Sequence, residues 1–351
     1  MCIRLSTKLI YSMKILYLSC HSVLEFDEVS LFTDLGHQVF SMGSYMQPTA
    51  PHDPKRPPIV NGLNDKHLQD LYVASSKDNI HPDLIEWADT IIVMHKPEWI
   101  VLNWQKMKHK NVIWRTIGQS VTDVEDLLAI PRREGLKIVR YSPAEKRIPR
   151  YLGEDRIIRF YKKPEEYKDY NGNIPAVMTV SQSMKSRISA GGEDFCNFHI
   201  FDEATRGFER SLFGPHNEDS GIPGGELTYD ELKAAYRNYR VYFYTGTYPA
   251  SYTLNFIEAM MTGIPVVAIG PIRADINVFP GMNLYEVHEI IQSGENGYWS
   301  DEVGLLHALV DKLISHPEEA KAIGEKGRQR AIELFGYDTI KNNWKEFLDS
   351  L

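Results

Sequence analysis

Cysteine is scarce in this 351-residue chain: Cys2, Cys20 and Cys196 are its only three. They are too few and too scattered for a disulfide framework or a zinc site, which fits a reducing compartment. Long apolar runs are missing as well. The N-terminal "KLIYSMKILYLSC" is interrupted by Lys14 and precedes no small-residue cleavage site, and nothing reaches the roughly 18 to 20 apolar residues of a membrane span. Residues 1–12 read as an extension ahead of a strand opening at Met13. An excess of positive charge is also lacking. The formal net charge is -8 and the pI about 5.9, which excludes a surface that grips nucleic acid or anionic lipid all over and favours small or neutral partners. These absences make a cytoplasmic location the expectation. One proline-rich loop, "QPTAPHDPKRPP" (47–58), carries a small basic patch suited to a peripheral membrane contact.

What is present is a hydrophobic content of 43%, enough for proper cores, and a steady alternation of strand-like and helix-like segments. "KILYLS", "LEFDEVSLFTDLG" and "HQVFSMG" form one β-α-β unit, with Gly36 suited to the helix end. "DLIEWADTIIVMH", "NVIWRTIG", "VEDLLAI" and "LKIVRYS" continue the pattern to about residue 165. A charged, turn-rich stretch, "KKPEEYKDYNGNIP" (162–175), then reads as a linker. The alternation restarts at "AVMTVSQ" and ends in helices. The expected class is α/β, with two doubly wound Rossmann-like domains, 13–165 and 173–335, facing a central cleft, and ligands at the carboxyl ends of the strands.

One stretch of the second half raises a specific question. "TYPASYTLNFIEAMMTGIPVVAIG" (247–270) sets a lone acid, Glu258, in an apolar helix, where a carboxylate is costly unless something binds it. The spacing predicts a helix from near Leu254 to Gly263, stopped by Pro265. Its first amides and its dipole favour an anion such as a diphosphate. Glu258 follows one turn later and can accept two hydroxyls of a sugar such as ribose. The competing reading is that Glu258 merely salt-bridges a surface Lys or Arg.

The run "SYTLNFIEAMMTGIPVVA", with "YEVHEIIQSGENGYWSDEVGLLHALVDKLI" and "KAIGEKGRQRAIELFGYDTIKNNWKEFL", resembles the nucleotide-sugar domain of retaining GT-B glycosyltransferases of the family-4 type, well over 225–351 and weakly elsewhere. The resemblance implies that Glu258 holds the ribose hydroxyls and that amides of Tyr252, Thr253 and Leu254 face the phosphates and donor sugar. It implies that the last segment, 336–351, crosses back onto the first domain, although core packing suffices for its Trp344 and Phe347. It implies a donor as co-substrate, with no metal and no other cofactor. The chain departs from the pattern at three places. Ala250 stands where the family has its first acid, leaving Ser251 or Tyr252 to contact the sugar. "TVSQSMKSR" replaces the usual phosphate-binding block, making Lys185 and Arg187 the substitutes, unless they are solvated helix charges. "SCHSVLEF" replaces a glycine-rich turn, bringing His21 and Ser22 forward as contacts.

Further candidates come from the first half. Arg115, Thr116, Gly118 and Gln119 end a strand where a ligand loop would lie, although Arg115 can instead pair with an internal acid. His95 and Lys96 follow another strand, where a histidine is either a sugar contact or structural. Pro215, His216 and Asn217 read as a surface turn or a border of the nucleotide base, and Asn296 with Gly297 as a tight turn after an "EII" strand. The implied activity is a hexosyl- or pentosyltransferase moving a sugar from a UDP- or GDP-type donor, with retention, to an acceptor that is a glycan, lipid-linked or small. Its rivals are a sugar-nucleotide epimerase, a nonenzymatic sugar-nucleotide sensor, and a glycosyltransferase acting on nucleic-acid bases.

Overall fold

The computed structural model describes residues 12–19, 21–41, 63–118 and 120–351. The extension before residue 12, Cys2, Cys20, the basic run at 47–58, Gln119 and the side chain of Ser22 lie outside the described residues. Two six-stranded sheets are present. The first contains β1 (Lys14–Leu18), β2 (Gln38–Ser41), β3 (Thr90–Met94), β4 (Asn111–Arg115), β5 (Lys137–Arg140) and β6 (Arg156–Ile157), in the order β2-β1-β3-β4-β5-β6. The second contains β7 (Ile174–Val180), β8 (Arg210–Phe213), β9 (Gly224–Gly225), β10 (Tyr239–Tyr244), β11 (Val266–Ile269) and β12 (Tyr298–Ser300), in the order β12-β11-β10-β7-β8-β9. Neighbouring strands pair in parallel. The central strands "TIIVM" and "VVAI" are buried at every position, as parallel strands covered on both faces must be.

The chain divides into two compact units. One runs to Arg115 and includes Leu127–Ile138; the other holds Thr116–Asp126 and Val139–Ser350, so the final helix, Tyr337–Leu348, groups with the second. In each sheet the chain order reverses once: between β1 and β3 in the first, and between β7 and β10 in the second. Strand ends beside such a reversal diverge and leave a crevice, the place where open α/β sheets bind ligands.

Two local expectations are corrected. "EII" is not a strand, because Ile290 and Ile291 donate back to Glu286 and Val287 and close a short helix, Val287–Ile290. The edge strand lies beyond the turn, at Tyr298–Ser300, paired with β11. Lys185 and Arg187 sit on a turn rather than a helix.

The Leu254–Thr262 helix is buried from Phe256 through Thr262. It ends at Gly263, whose φ of 92° needs a residue without a Cβ. The Pro317–Phe335 helix lies directly on that end: a Cβ on Gly324 would come within 1.9 Å of the Gly263 carbonyl oxygen. Gly324→Ala is therefore expected to destabilise the protein by about 1–3 kcal/mol, as overpacking does, whereas Gly304→Ala, which meets nothing within 4 Å, leaves the urea midpoint unchanged or raised. Equal midpoints for both variants would contradict this packing.

Candidate functional site

Glu258 is 7% exposed and is met by side chains of the second unit. Its Oε1 lies 3.2 Å from the Lys162 ammonium and accepts from the Tyr167 hydroxyl at 3.1 Å; its Oε2 accepts from Tyr236 at 3.5 Å. The partner is thus a lysine of the linker rather than of the surface, and it is itself 2% exposed. Burial raises the Tyr236 hydroxyl well above its ordinary pKa, helped by Tyr242 and by Glu258, so it stays protonated as a donor. Removing one member of such a pair leaves a buried charge uncompensated, at a cost of about 3–5 kcal/mol.

Three features hold these groups in place. The Lys162 amide donates to Phe335 O at 2.9 Å, and Lys162 bridges in parallel to Gly336. Arg328 donates to Pro164 O at 2.9 Å and also to the carbonyls of Tyr167 and Met261. Its guanidinium therefore ties the linker to the last turn of the Leu254–Thr262 helix, where a cation also complements the helix dipole. The contacts from Lys162, Tyr167 and Arg328 span long stretches of chain, so no local sequence pattern announces them.

The start of the same helix is less completely satisfied. Thr253 is the N-cap residue but supplies no side-chain cap. Its own amide donates to the Tyr244 hydroxyl at 3.1 Å, and the Ser251 amide to the Tyr141 hydroxyl at 2.8 Å. Among the described residues, the amides of Leu254 and Asn255 have no acceptor, and the fully buried Ser251 hydroxyl has no partner. Tyr252 turns inward: its ring packs on Tyr141 and Phe335, and its hydroxyl donates to Tyr141 O at 2.7 Å. The helix start is anchored to the end of β7 by Asn255, which donates to Val180 O.

Lys185 and Arg187 follow β7 directly, at the reversal point of the second sheet. Lys185 donates to Asp219 O at 2.7 Å, Arg187 lies 3.9 Å from the Cys196 sulfur, and neither has a carboxylate partner among the described residues. Gly118 and Ala250 meet: a Cβ on Gly118 would fall 2.7 Å from the Ala250 Cβ. The adjoining cavity, lined by Gly246, Tyr248, Ala250 and Tyr285, measures about 10 Å³, room for one water. Asn217 serves the scaffold, accepting from the Met184 amide and donating to Ser181 O and Gly214 O.

The first-unit candidates separate. Arg115 does not reach a ligand loop: it is fully buried and donates to Glu28 at 2.8 Å, with Tyr17 donating to the other Glu28 oxygen. Thr116 donates to the buried Glu145 at 2.8 Å. His21 caps the Ser22–Asp34 helix, its Nδ1 accepting from the Leu24 amide at 3.3 Å. His95 differs, with a left-handed φ of 75° and a buried Nδ1 lacking a partner among the described residues. His21 and His95 flank the reversal point of the first sheet, one after β1 and the other after β3. Among the described residues, no three His, Cys, Asp or Glu side chains are grouped to hold a metal ion, and no helix is long and apolar enough to cross a membrane.

No protein-family profile and no curated protein matches the sequence. Solved structures do. Sucrose-phosphate synthase from Thermosynechococcus elongatus is similar with a TM-score of 0.66 at 14% identity, over 96% of this chain and 98% of that one. HepE from Anabaena, in complex with UDP-glucose, also gives 0.66 at 14% identity, over 97% and 100%. An alpha-glucosyltransferase in complex with UDP and a 13-mer DNA containing a HMU base gives 0.59 at 12%, over 97% and 100%. The fold is GT-B. Each half of this GT-B chain thus carries a sheet-reversal point, with open amides and two cations at the second and His95 at the first.

Burial, then the charge of Lys96, lowers the pKa of His95 below its ordinary 6.5. A histidine depressed in the folded state costs stability as pH falls below the unfolded value, because the native fold resists the proton. Imidazole C–H shifts are expected to titrate below pH 6.5 for His95; a midpoint at or above that value would contradict the buried placement.

Proposed function

We propose that this protein is a retaining glycosyltransferase that moves a sugar from a nucleotide-diphosphate sugar, of UDP or GDP type, to an acceptor hydroxyl. The observation that carries this reading is the open helix start at the reversal point of the second sheet. The Leu254 and Asn255 amides, preceded in the chain by the Ser251 hydroxyl, offer donors to a diphosphate at the positive end of the helix dipole. Lys185 and Arg187 supply the positive charge that a departing diphosphate needs. Glu258, one turn along, accepts the ribose hydroxyls. Two of the similar structures are complexes with UDP-glucose or with UDP, which supports the donor class.

In the reaction, the acceptor oxygen forms its bond to the anomeric carbon as the bond to the diphosphate oxygen breaks. The acceptor proton passes to the leaving diphosphate, and attack on the same face retains configuration. With Ala250 against Gly118, this chain has no carboxylate at the position the resemblance gives to a sugar-binding acid, so Ser251 takes the sugar contact. His95 serves the acceptor in the first unit. Acceptor chemistry is glycan, lipid-linked or small-molecule. A nucleic-acid base is the second reading, motivated by the DNA complex among the similar structures and opposed by the net charge of -8.

Thermal unfolding against a panel of UDP-, GDP- and ADP-sugars is expected to show stabilisation by one class, because a ligand bound only by the native state raises its melting point. Calorimetry with that donor on Glu258→Gln should show a loss of about tenfold to a hundredfold in affinity, the range for hydrogen bonds to a charged group. Unchanged affinity would remove Glu258 from the donor site.

A further inference from the structure

We infer that Tyr141 is a positioning residue for the diphosphate, fixing the start of the Leu254–Thr262 helix from outside so that its first amides stay available. This rests on the donor reading above and deepens it. Tyr141 and the helix belong to the same unit. Two consecutive loop residues converge on this one tyrosine: the Ser251 amide donates to its hydroxyl at 2.8 Å, and the Tyr252 hydroxyl donates to its carbonyl at 2.7 Å. The Ser251 carbonyl is held in turn by the Glu286 amide at 3.1 Å. Tyr141 is itself fixed. Its amide donates to Thr116 Oγ1 and to Glu145 Oε2, each at 3.0 Å, and its ring stacks on Phe160 with centroids 5.2 Å apart.

An uncapped helix start frays, whereas a side-chain cap occupies the amide of the second or third helical residue. A cap on Asn255 would spend a donor that an anion needs. Thr253 gives no such cap. The anchoring comes one step earlier in the chain, where Tyr141 and Tyr244 accept from Ser251 and Thr253, and the Leu254 and Asn255 amides are left unspent. Donors held in place in this way need no ordering when the anion binds. The choice of tyrosine also matters for charge. A carboxylate could accept from the Ser251 amide equally well but would repel a diphosphate arriving at the helix. Burial raises the Tyr141 hydroxyl well above its ordinary pKa, so it accepts while neutral.

The test measures, by NMR titration, the affinity of wild type and of Tyr141→Phe for UDP, GDP or ADP, whichever wild type binds, and for the matching nucleoside, which carries no phosphate. Tyr141→Phe keeps the ring and the main-chain contacts and removes only the hydroxyl, stranding the Ser251 amide. Diphosphate affinity is expected to fall about tenfold, the cost of an unmet buried donor, while nucleoside affinity changes by less than about threefold, the scatter of independent sites. Tyr170→Phe serves as the control. It removes a hydroxyl that donates to Arg240 O at 2.9 Å near the other end of the helix, and both affinities should stay within that margin. Equal losses for diphosphate and nucleoside in Tyr141→Phe, or no loss, overturn the inference and leave the donor site standing. Should Tyr141→Phe not fold, hydrogen exchange of wild type decides. The Ser251 and Thr253 amides are expected to be protected without ligand, and those of Leu254 and Asn255 only once the nucleotide is added; an unprotected Ser251 amide in the free protein overturns the inference. If wild type binds none of the nucleotides, or binds the diphosphate no tighter than the nucleoside, the donor reading and this inference fall together.

Discussion

A carboxylate buried inside an apolar helix is the constraint around which the second unit is organised. Glu258 needs its charge answered on the spot, and the answer comes from the linker, which must run close enough for Lys162 and Tyr167 to reach the Leu254–Thr262 helix. Arg328 clamps that linker to the helix end. The Pro317–Phe335 helix that carries Arg328 must then lie almost in backbone contact, and Gly324 against Gly263 permits it. One charge thus dictates the path of the linker, the placement of a helix and the use of a glycine.

The two ends of the Leu254–Thr262 helix are treated in opposite ways. Its C-terminal carbonyls are satisfied by Gly263 and Arg328, while its first amides are left without a cap. Tyr141 and Tyr244 accept from the amides just upstream, and burial holds both hydroxyls far above their ordinary pKa, so they remain neutral acceptors. What stays open is a short row of donors at the carboxyl ends of the central strands, suited to an anion and unsuited to a cation. The arrangement gives the second unit a polarity, with the charged pair closed inside and the donor groups at the carboxyl ends of the central strands.

Much of this was legible in the sequence, for reasons particular residues make plain. The alternation of apolar strands with helices gave the α/β class, and Gly263 with Pro265 marked the end of the key helix. Glu258 stood out because an acid interrupts an otherwise apolar run. Its partner was not legible. Lys162 lies in a stretch whose charges and turn residues read as solvated linker, and the contact spans nearly a hundred positions. The same limit applies to Arg115, whose position at a strand end resembled a ligand site until Glu28 answered it from the opening helix. The edge strand Tyr298–Ser300 carried no signal of its own, because three residues show no periodicity and only pairing with β11 makes them a strand. Charges that pair over long distances, and strands defined by a neighbour, are properties of the fold.

The most direct measurement of the central claim is a crystal structure of the protein with an intact nucleotide-diphosphate sugar. The account predicts the diphosphate at the Leu254 and Asn255 amides and the ribose hydroxyls on Glu258. A nucleotide bound away from the Leu254–Thr262 helix, with the Glu258 carboxylate touching only Lys162 and the tyrosines, would contradict it.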